Sequence, residues 1–199
     1  MRPPVATALH FDRRAEAYAA FRRRWPIGWL QQEEERALHR LAEVQPQQRV
    51  LDVGCGAGTT LAWLRERRAR AVGVDLSRRM AEACRRAGHD VCVQDMQRLG
   101  LREAFDWVLC IGSLEFASDP EGALRGFAAC FKPGGSLVLL FLWRGPLGSL
   151  YRLYHRVHGV RIRVFRSDEI AQVLAASGLG RPNATIDCRL SSLCRAART

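Results

Sequence analysis

The chain has 199 residues, 48% hydrophobic and 26% charged, which suits one globular domain with a sizeable core and no disordered arm. Its longest apolar run, Ser136 to Trp143, is far short of the ~20 residues of a membrane span, and no apolar stretch follows the N-terminal arginines, so neither a span nor a secretory signal is expected and a cytoplasmic location is read. The net charge of +11 rests on 31 basic residues, all arginine except Lys132; they are scattered over several helical stretches, the pattern of solvated faces, so no specific nucleic-acid partner is expected.

From Asp12 to Val44 apolar residues recur at spacings of three and four, which predicts helix with a break at Trp25-Pro26-Ile27-Gly28. Arg49 to Val53 is a short β-rich run that stops at glycines, and Thr59 to Arg68 reads as helix. Ala71 to Asp75 is a second strand, and Ser77, a good N-cap, opens a helix to Ala87. Val91 to Gln94 is a third strand and Phe105 to Ile111 a fourth, before a helix from Pro120 to about Phe131. Lys132-Pro133-Gly134-Gly135 is a turn, and Ser136 to Leu142 a fifth strand. Arg144 to Arg166 is an irregular insertion rich in Arg, Tyr and His; Ser167 to Ser177 is a capped helix that ends at Gly178, and Asn183 to Arg195 holds two last strands. Strands alternating with helices of this length predict an α/β, doubly wound, mostly parallel sheet with helices on both faces, in a single domain over residues 1–199.

The seven cysteines are odd in number and lack C-x-x-C spacing, which argues against a disulfide framework and against a zinc site; no metal is expected. Chemistry concentrates in VLDVGCGAGTTLAWL, a strand, a loop and a helix. Gly54, Gly56 and Gly58 let the backbone turn sharply and approach a ligand with no Cβ in the way. Asp52 sits at the carboxyl end of the strand, beside the crevice where open α/β sheets bind ligands. A carboxylate there repels a pyrophosphate and suits a cation. Asp75 ends the second strand, where an acid accepts from both hydroxyls of a ribose. These features describe a positively charged nucleoside rather than a dinucleotide. Two plainer readings stay open: the glycines as a bare strand-to-helix turn, and Asp75 as a cap of the next helix.

The blocks VLDVGCGAGT, VGVDLS, VQDM, FDWVLCIGSLEFASDP and FKPGGSLVLL, in this order and spacing, resemble the class I S-adenosylmethionine-dependent methyltransferases. Within that class the chain is most similar to small bacterial enzymes related to quinone-biosynthesis C-methyltransferases. The resemblance implies a Rossmann-like sheet of seven strands with the last one antiparallel, and S-adenosyl-L-methionine as cofactor. It implies that Gly54, Cys55 and Gly56 meet the methionine moiety through the backbone and that Asp52 holds its ammonium. Asp75 takes the ribose hydroxyls, Leu76 covers one face of the adenine, Asp95 accepts from the adenine amino group with Met96 donating its backbone amide nearby, and Ile111 floors the sulfonium. FDRRAEAYAAF resembles the helix that lids the cofactor in these enzymes, so residues 1–46 are read as an N-terminal helical lid from which Tyr18 closes. Leu76, Met96 and Ile111 also fit as plain core, and Tyr18 as a packed aromatic.

On the acceptor side the chain departs from the pattern. Phe116 stands where many relatives carry a histidine, so a base from that position is absent. Tyr18 of the lid and Glu115 are candidates, and so are Tyr151, Tyr154, His155 and His158 of the insertion, which is read as a substrate cover over residues 144–166. The function expected is methyl transfer to a small-molecule acceptor by in-line displacement. A nicotinamide oxidoreductase shares the plan, but its G-x-G-x-x-G step is missing. A nucleic-acid methyltransferase suits the charge but lacks the N/D-P-P-Y block that clamps a flipped base. A non-catalytic cofactor-binding adaptor has the same loop and acids. The sequence leaves the oligomeric state open.

Overall fold

The computed structural model describes residues 3–15 and 27–198. In chain order the elements are α1 (Pro3–Asp12), α2 (Ile27–Leu41), β1 (Arg49–Val53), α3 (Thr59–Glu66), β2 (Arg70–Asp75), α4 (Arg78–Arg86), β3 (Val91–Val93), β4 (Phe105–Ile111), α5 (Pro120–Cys130), β5 (Phe131–Leu142), α6 (Pro146–Val157), α7 (Ser167–Ala176), β6 (Ala184–Asp187) and β7 (Ser191–Ala197). Short 3-10 turns at Met96–Arg98 and Leu114–Phe116 follow β3 and β4.

One seven-stranded sheet runs in the order β3-β2-β1-β4-β5-β7-β6. The strands from β1 to β5 are parallel, and β7 lies antiparallel between β5 and β6. This is the Rossmann-like architecture expected. Alternate residues of each central strand serve opposite faces, as the pleat requires. Leu51 and Val53 of β1 join Leu137, Leu139 and Phe141 of β5 in one core cluster, with Phe127 of α5 and Leu174 of α7. Val50, Val138 and Leu140 face the other cluster, with Leu38 of α2 and Leu61 and Leu64 of α3. Both faces are thus covered, which is why these strands read as unbroken apolar runs.

Chain order reverses between β1 and β4: β2 and β3 extend to one side, and β4 opens the other. Ligands of open α/β sheets bind at this switch, outside the carboxyl ends of the strands.

Three expectations need correction. A helix over Pro3–Asp12 precedes the expected start, while the stretch expected to be helical after Asp12, up to the break at Trp25-Pro26, lies mostly outside the described residues. Asp12 works on α4, where its Oδ1 accepts from the Ser77 hydroxyl and from the Arg79 amide. The fifth strand starts at Phe131, because Phe131 pairs with Phe105 before a register shift carries the ladder on to Trp107 and Ser136. The insertion is irregular only outside Pro146–Val157: Pro146 opens a twelve-residue helix whose apolar residues recur at spacings of three and four.

Candidate functional site

At the switch point the loop after β1 is pinned by its neighbours. The amides of Gly54 and Cys55 both donate to the Val74 carbonyl at the end of β2, at 2.8 and 3.1 Å. The Gly56 amide donates to Asp75 Oδ2 at 2.8 Å. These bonds commit the three amides, and the Cys55 carbonyl in turn accepts from the Gly58 amide at 3.0 Å, which closes the loop on itself. Gly54 has φ +72, and a Cβ built on it would overlap the Cβ and Oγ of Ser113. Only glycine serves there. Ser113 in turn donates to the Val53 carbonyl at 2.8 Å, which ties the ends of β1 and β4 together.

Above this loop lies a cavity of about 720 Å³. Asp52, Gly54, Cys55, Gly56, Asp75 and Leu76 line it, and so do Asp95, Met96 and Ile111. Each of the nine described residues assigned to the cofactor is therefore at one cavity. Tyr18 lies outside the described residues. Cys55 takes part by its backbone, since its thiol sits in the core where Gly73, lacking a Cβ, leaves room. A hydrogen bond with the adjacent Cys84, reinforced by burial, pushes that thiol far above its usual range.

Six carboxylates line the cavity: Glu34, Glu35, Asp52, Glu66, Asp75 and Asp95. Among the described residues the lining holds no arginine and no lysine, in a chain of net charge +11. Asp52 is 1% exposed, and its Oδ2 has no hydrogen-bond partner. Burial, helped by the nearby charge of Asp75, raises its pKa to about 7. Such an orphaned acceptor needs a cation or a donor to complete it. Asp75 is better served: the Gly56 and Ser77 amides donate to its two oxygens at 2.8 Å. Burial nevertheless keeps its pKa raised. The cap of α4 is Ser77, whose hydroxyl accepts from the Met80 amide, so Asp75 is not the N-cap residue. Asp95 caps the turn at Met96–Arg98, its Oδ1 accepting from the Gln97 amide at 3.0 Å.

The other candidates sit differently. Glu115 is buried one layer behind the lining, its Oε1 4.0 Å from where a Cβ on Gly112 would stand. Its Oε2 has no partner, and burial raises its pKa to about 8. Neither Tyr151 nor His155 lines the cavity. His155 is buried under α6, with ring contacts to His10 of α1 at 5.1 Å and to Phe116 at 5.3 Å. Burial, reinforced by His10, Arg14 and His158, lowers its pKa to about 4. Tyr154 and His158 pack on each other at 4.3 Å. The insertion thus touches the cavity wall through Phe116, which lines it and meets Phe11 at 5.1 Å.

Sequence reading missed the wall supplied by α2. Gln31, Glu34, Glu35, Leu38 and His39 all line the cavity. Their spacing of three and four was visible, but a run of acids at a helical period reads as a solvated face. His39 stacks on Trp63 of α3 at 4.5 Å and 11°.

Comparison with known proteins agrees with this geometry. The methyltransferase domain family matches residues 51–139. A ubiquinone biosynthesis O-methyltransferase of Xanthomonas campestris pv. campestris is 30% identical over 162 residues, 72% of this chain and 66% of that protein. The chain belongs to the class I S-adenosylmethionine-dependent methyltransferases. It spans just under two thirds of the length of that curated relative. Among solved structures, a methyltransferase of Thermotoga maritima, described as a possible histamine N-methyltransferase, superposes with a TM-score of 0.76 at 21% identity, over 96% of this chain and 99% of that one. The magnesium protoporphyrin IX methyltransferase of Synechocystis, with S-adenosylhomocysteine bound, gives 0.68 at 21%, over 85% and 83%. At such identities these two matches speak for the fold.

Proposed function

We propose that the chain binds S-adenosylmethionine in the acidic cavity and transfers its methyl group to a small organic molecule. The observation that carries this reading is the orphaned carboxylate oxygen of Asp52 in a cavity with six acids and, among the described residues, no basic side chain but His39. The cofactor is cationic at sulfur and at its ammonium, so this donor set fits it and repels a dinucleotide. Asp52 and the carbonyls of the Gly54–Gly56 loop take the ammonium. Asp75 keeps lone pairs for the ribose hydroxyls beyond its two amide bonds, since a carboxylate has about four acceptor sites. Leu76 and Met96 enclose the adenine, Asp95 accepts from its amino group, and Ile111 lies under the sulfonium.

When bound, the cofactor supplies a methyl group already activated for displacement. What remains for the chain is alignment and exclusion of water. Phe116 and Phe11 form an apolar wall beside Gly112 and Ser113, which suits a flat organic acceptor. The described candidates Glu115, Tyr151 and His155 do not line the cavity, so any base for the acceptor is sought among the lining groups Glu34, Glu35, Glu66 and His39. Relatives named for ubiquinone and magnesium protoporphyrin methylation support a small-molecule acceptor. The described parts of residues 1–46 support the lid reading, because Thr7, Ala8 and Phe11 of α1 close one side of the cavity.

The test is to incubate the protein with methyl-labelled cofactor and a cell lysate, then separate organic-soluble small molecules from precipitated protein and nucleic acid. Label in the organic phase is expected. Label confined to nucleic acid overturns the acceptor class, and none in any fraction overturns the transferase.

A further inference from the structure

Helix α6 faces the wrong way for a soluble surface helix. Only Gly148 and His155 are buried, on one side. At 100° per residue Leu150, Leu153 and Val157 form a single stripe on the opposite side, flanked by Leu147 and Tyr154. All are exposed, Leu150 to 62% and Val157 to 75%. An amphipathic helix ordinarily turns that stripe inward. Neighbouring α1 adds exposed Val5 and Leu9, and meets α6 where His10 touches His155.

The charge around this stripe has one sign. No acid occurs between Glu121 and Asp168, while residues 144–166 carry six arginines. Arg144 and Arg166 pair with Glu169 and Asp168. Arg152, Arg156 and Arg161 are exposed and have no ion pair among the described residues. Arg156 borders the apolar stripe on the side of Leu153, and Arg152, one turn before it, lies further round toward the buried side, where its long side chain can still reach the headgroup level.

We propose that α6 is an interfacial anchor that docks the protein on an anionic lipid bilayer, with Leu150, Leu153 and Val157 in the acyl boundary and Arg152 and Arg156 against the headgroups. An exposed apolar face bordered by arginines is the pattern of helices that lie in the membrane plane. At twelve residues α6 is about 18 Å long. That is too short to span, and no described helix is long and apolar enough to do so. A second copy of the chain fits less well. A twofold contact through this stripe brings the arginines of both copies together with no acid to offset them. The anchored face backs onto the cavity wall through His155 and Phe116. Docking itself requires neither cofactor nor turnover, so its test is independent of the methyl-transfer reading.

The test is flotation of the full chain with vesicles of equal parts phosphatidylglycerol and phosphatidylcholine, against phosphatidylcholine alone. Binding at least ten-fold tighter to the anionic vesicles is expected. Leu150→Ser with Leu153→Ser, and separately Arg152→Gln with Arg156→Gln, should each weaken it ten-fold, with the melting temperature unchanged because all four side chains are exposed. Equal binding to both vesicles overturns the proposal. So does anionic binding indifferent to the leucine pair, which marks adsorption of a basic protein by charge alone. A dimer in sedimentation velocity that the leucine pair converts to monomer assigns the stripe to a second copy instead.

Discussion

At the scale of single residues, Asp52 is the most exacting feature. Its carboxylate is sealed from water, lacks a partner on Oδ2, and titrates near 7 instead of 3.8. Because its pKa is raised on folding, the contribution is present below pH 3.8 and is lost progressively up to about pH 7. The three-unit rise corresponds to at most about 4 kcal/mol. Asp52→Asn should therefore be more stable than the parent above pH 7, and the difference should vanish near pH 4, as denaturant midpoints will show. A cationic ligand needs the anion, so affinity for S-adenosylmethionine should fall by up to about ten-fold per pH unit below 7. In the asparagine variant it should be weak and flat with pH. Glu115 obeys the same sign with a different window. Its pKa of about 8 keeps it a neutral acid at pH 7, and wild-type stability should decline between pH 4.5 and about 8. Glu115→Gln, which mimics the neutral acid, should lose that part of the slope; an identical pH profile in the two proteins would refute it.

At the scale of elements, the strands around the site were legible because both of their faces are buried. The runs at Arg49–Val53 and Phe105–Ile111 came out at their full extent. Glycine and acid positions after β1 and β2 were legible too, since the backbone turn and the strand ends leave few alternatives. Two things were not. The α2 wall was hidden because Glu34 and Glu35, facing a cavity, look the same in sequence as acids facing solvent. Helix α6 was hidden because Pro146, Gly145 and Gly148 and the interleaved Arg, Tyr and His residues read as an irregular insertion, although Leu147, Leu150, Leu153 and Val157 keep a helical period. The role of Asp12 was hidden for a different reason: its partner is distant in sequence, since it serves α4 across 65 residues. Asp12→Ala removes acceptors for the Ser77 hydroxyl and the Arg79 amide. It should cost about 1–2 kcal/mol. Hydrogen exchange should rise in α1 and the first turn of α4 and stay unchanged in β1 and β4; uniform acceleration would contradict this local assignment.

At the scale of the whole molecule, charge is sorted by place. The chain carries +11 overall, yet its cavity is walled by carboxylates. The field outside attracts anions indiscriminately, whereas six lining carboxylates make the cavity suited to a cation. Filter binding with duplex DNA or RNA at physiological salt should show weak retention that falls steeply with ionic strength and ignores sequence. Tight, sequence-dependent retention would favour a nucleic-acid acceptor. The central claim, that the acidic cavity is a site for S-adenosylmethionine, is tested most directly by titration calorimetry at pH 8. S-adenosylmethionine is expected to bind saturably at one site per chain, about 1–3 kcal/mol more weakly in Asp75→Ala through loss of charge-assisted hydrogen bonds, and NAD is expected to give no heat. Tight binding of NAD with no response to S-adenosylmethionine would contradict it.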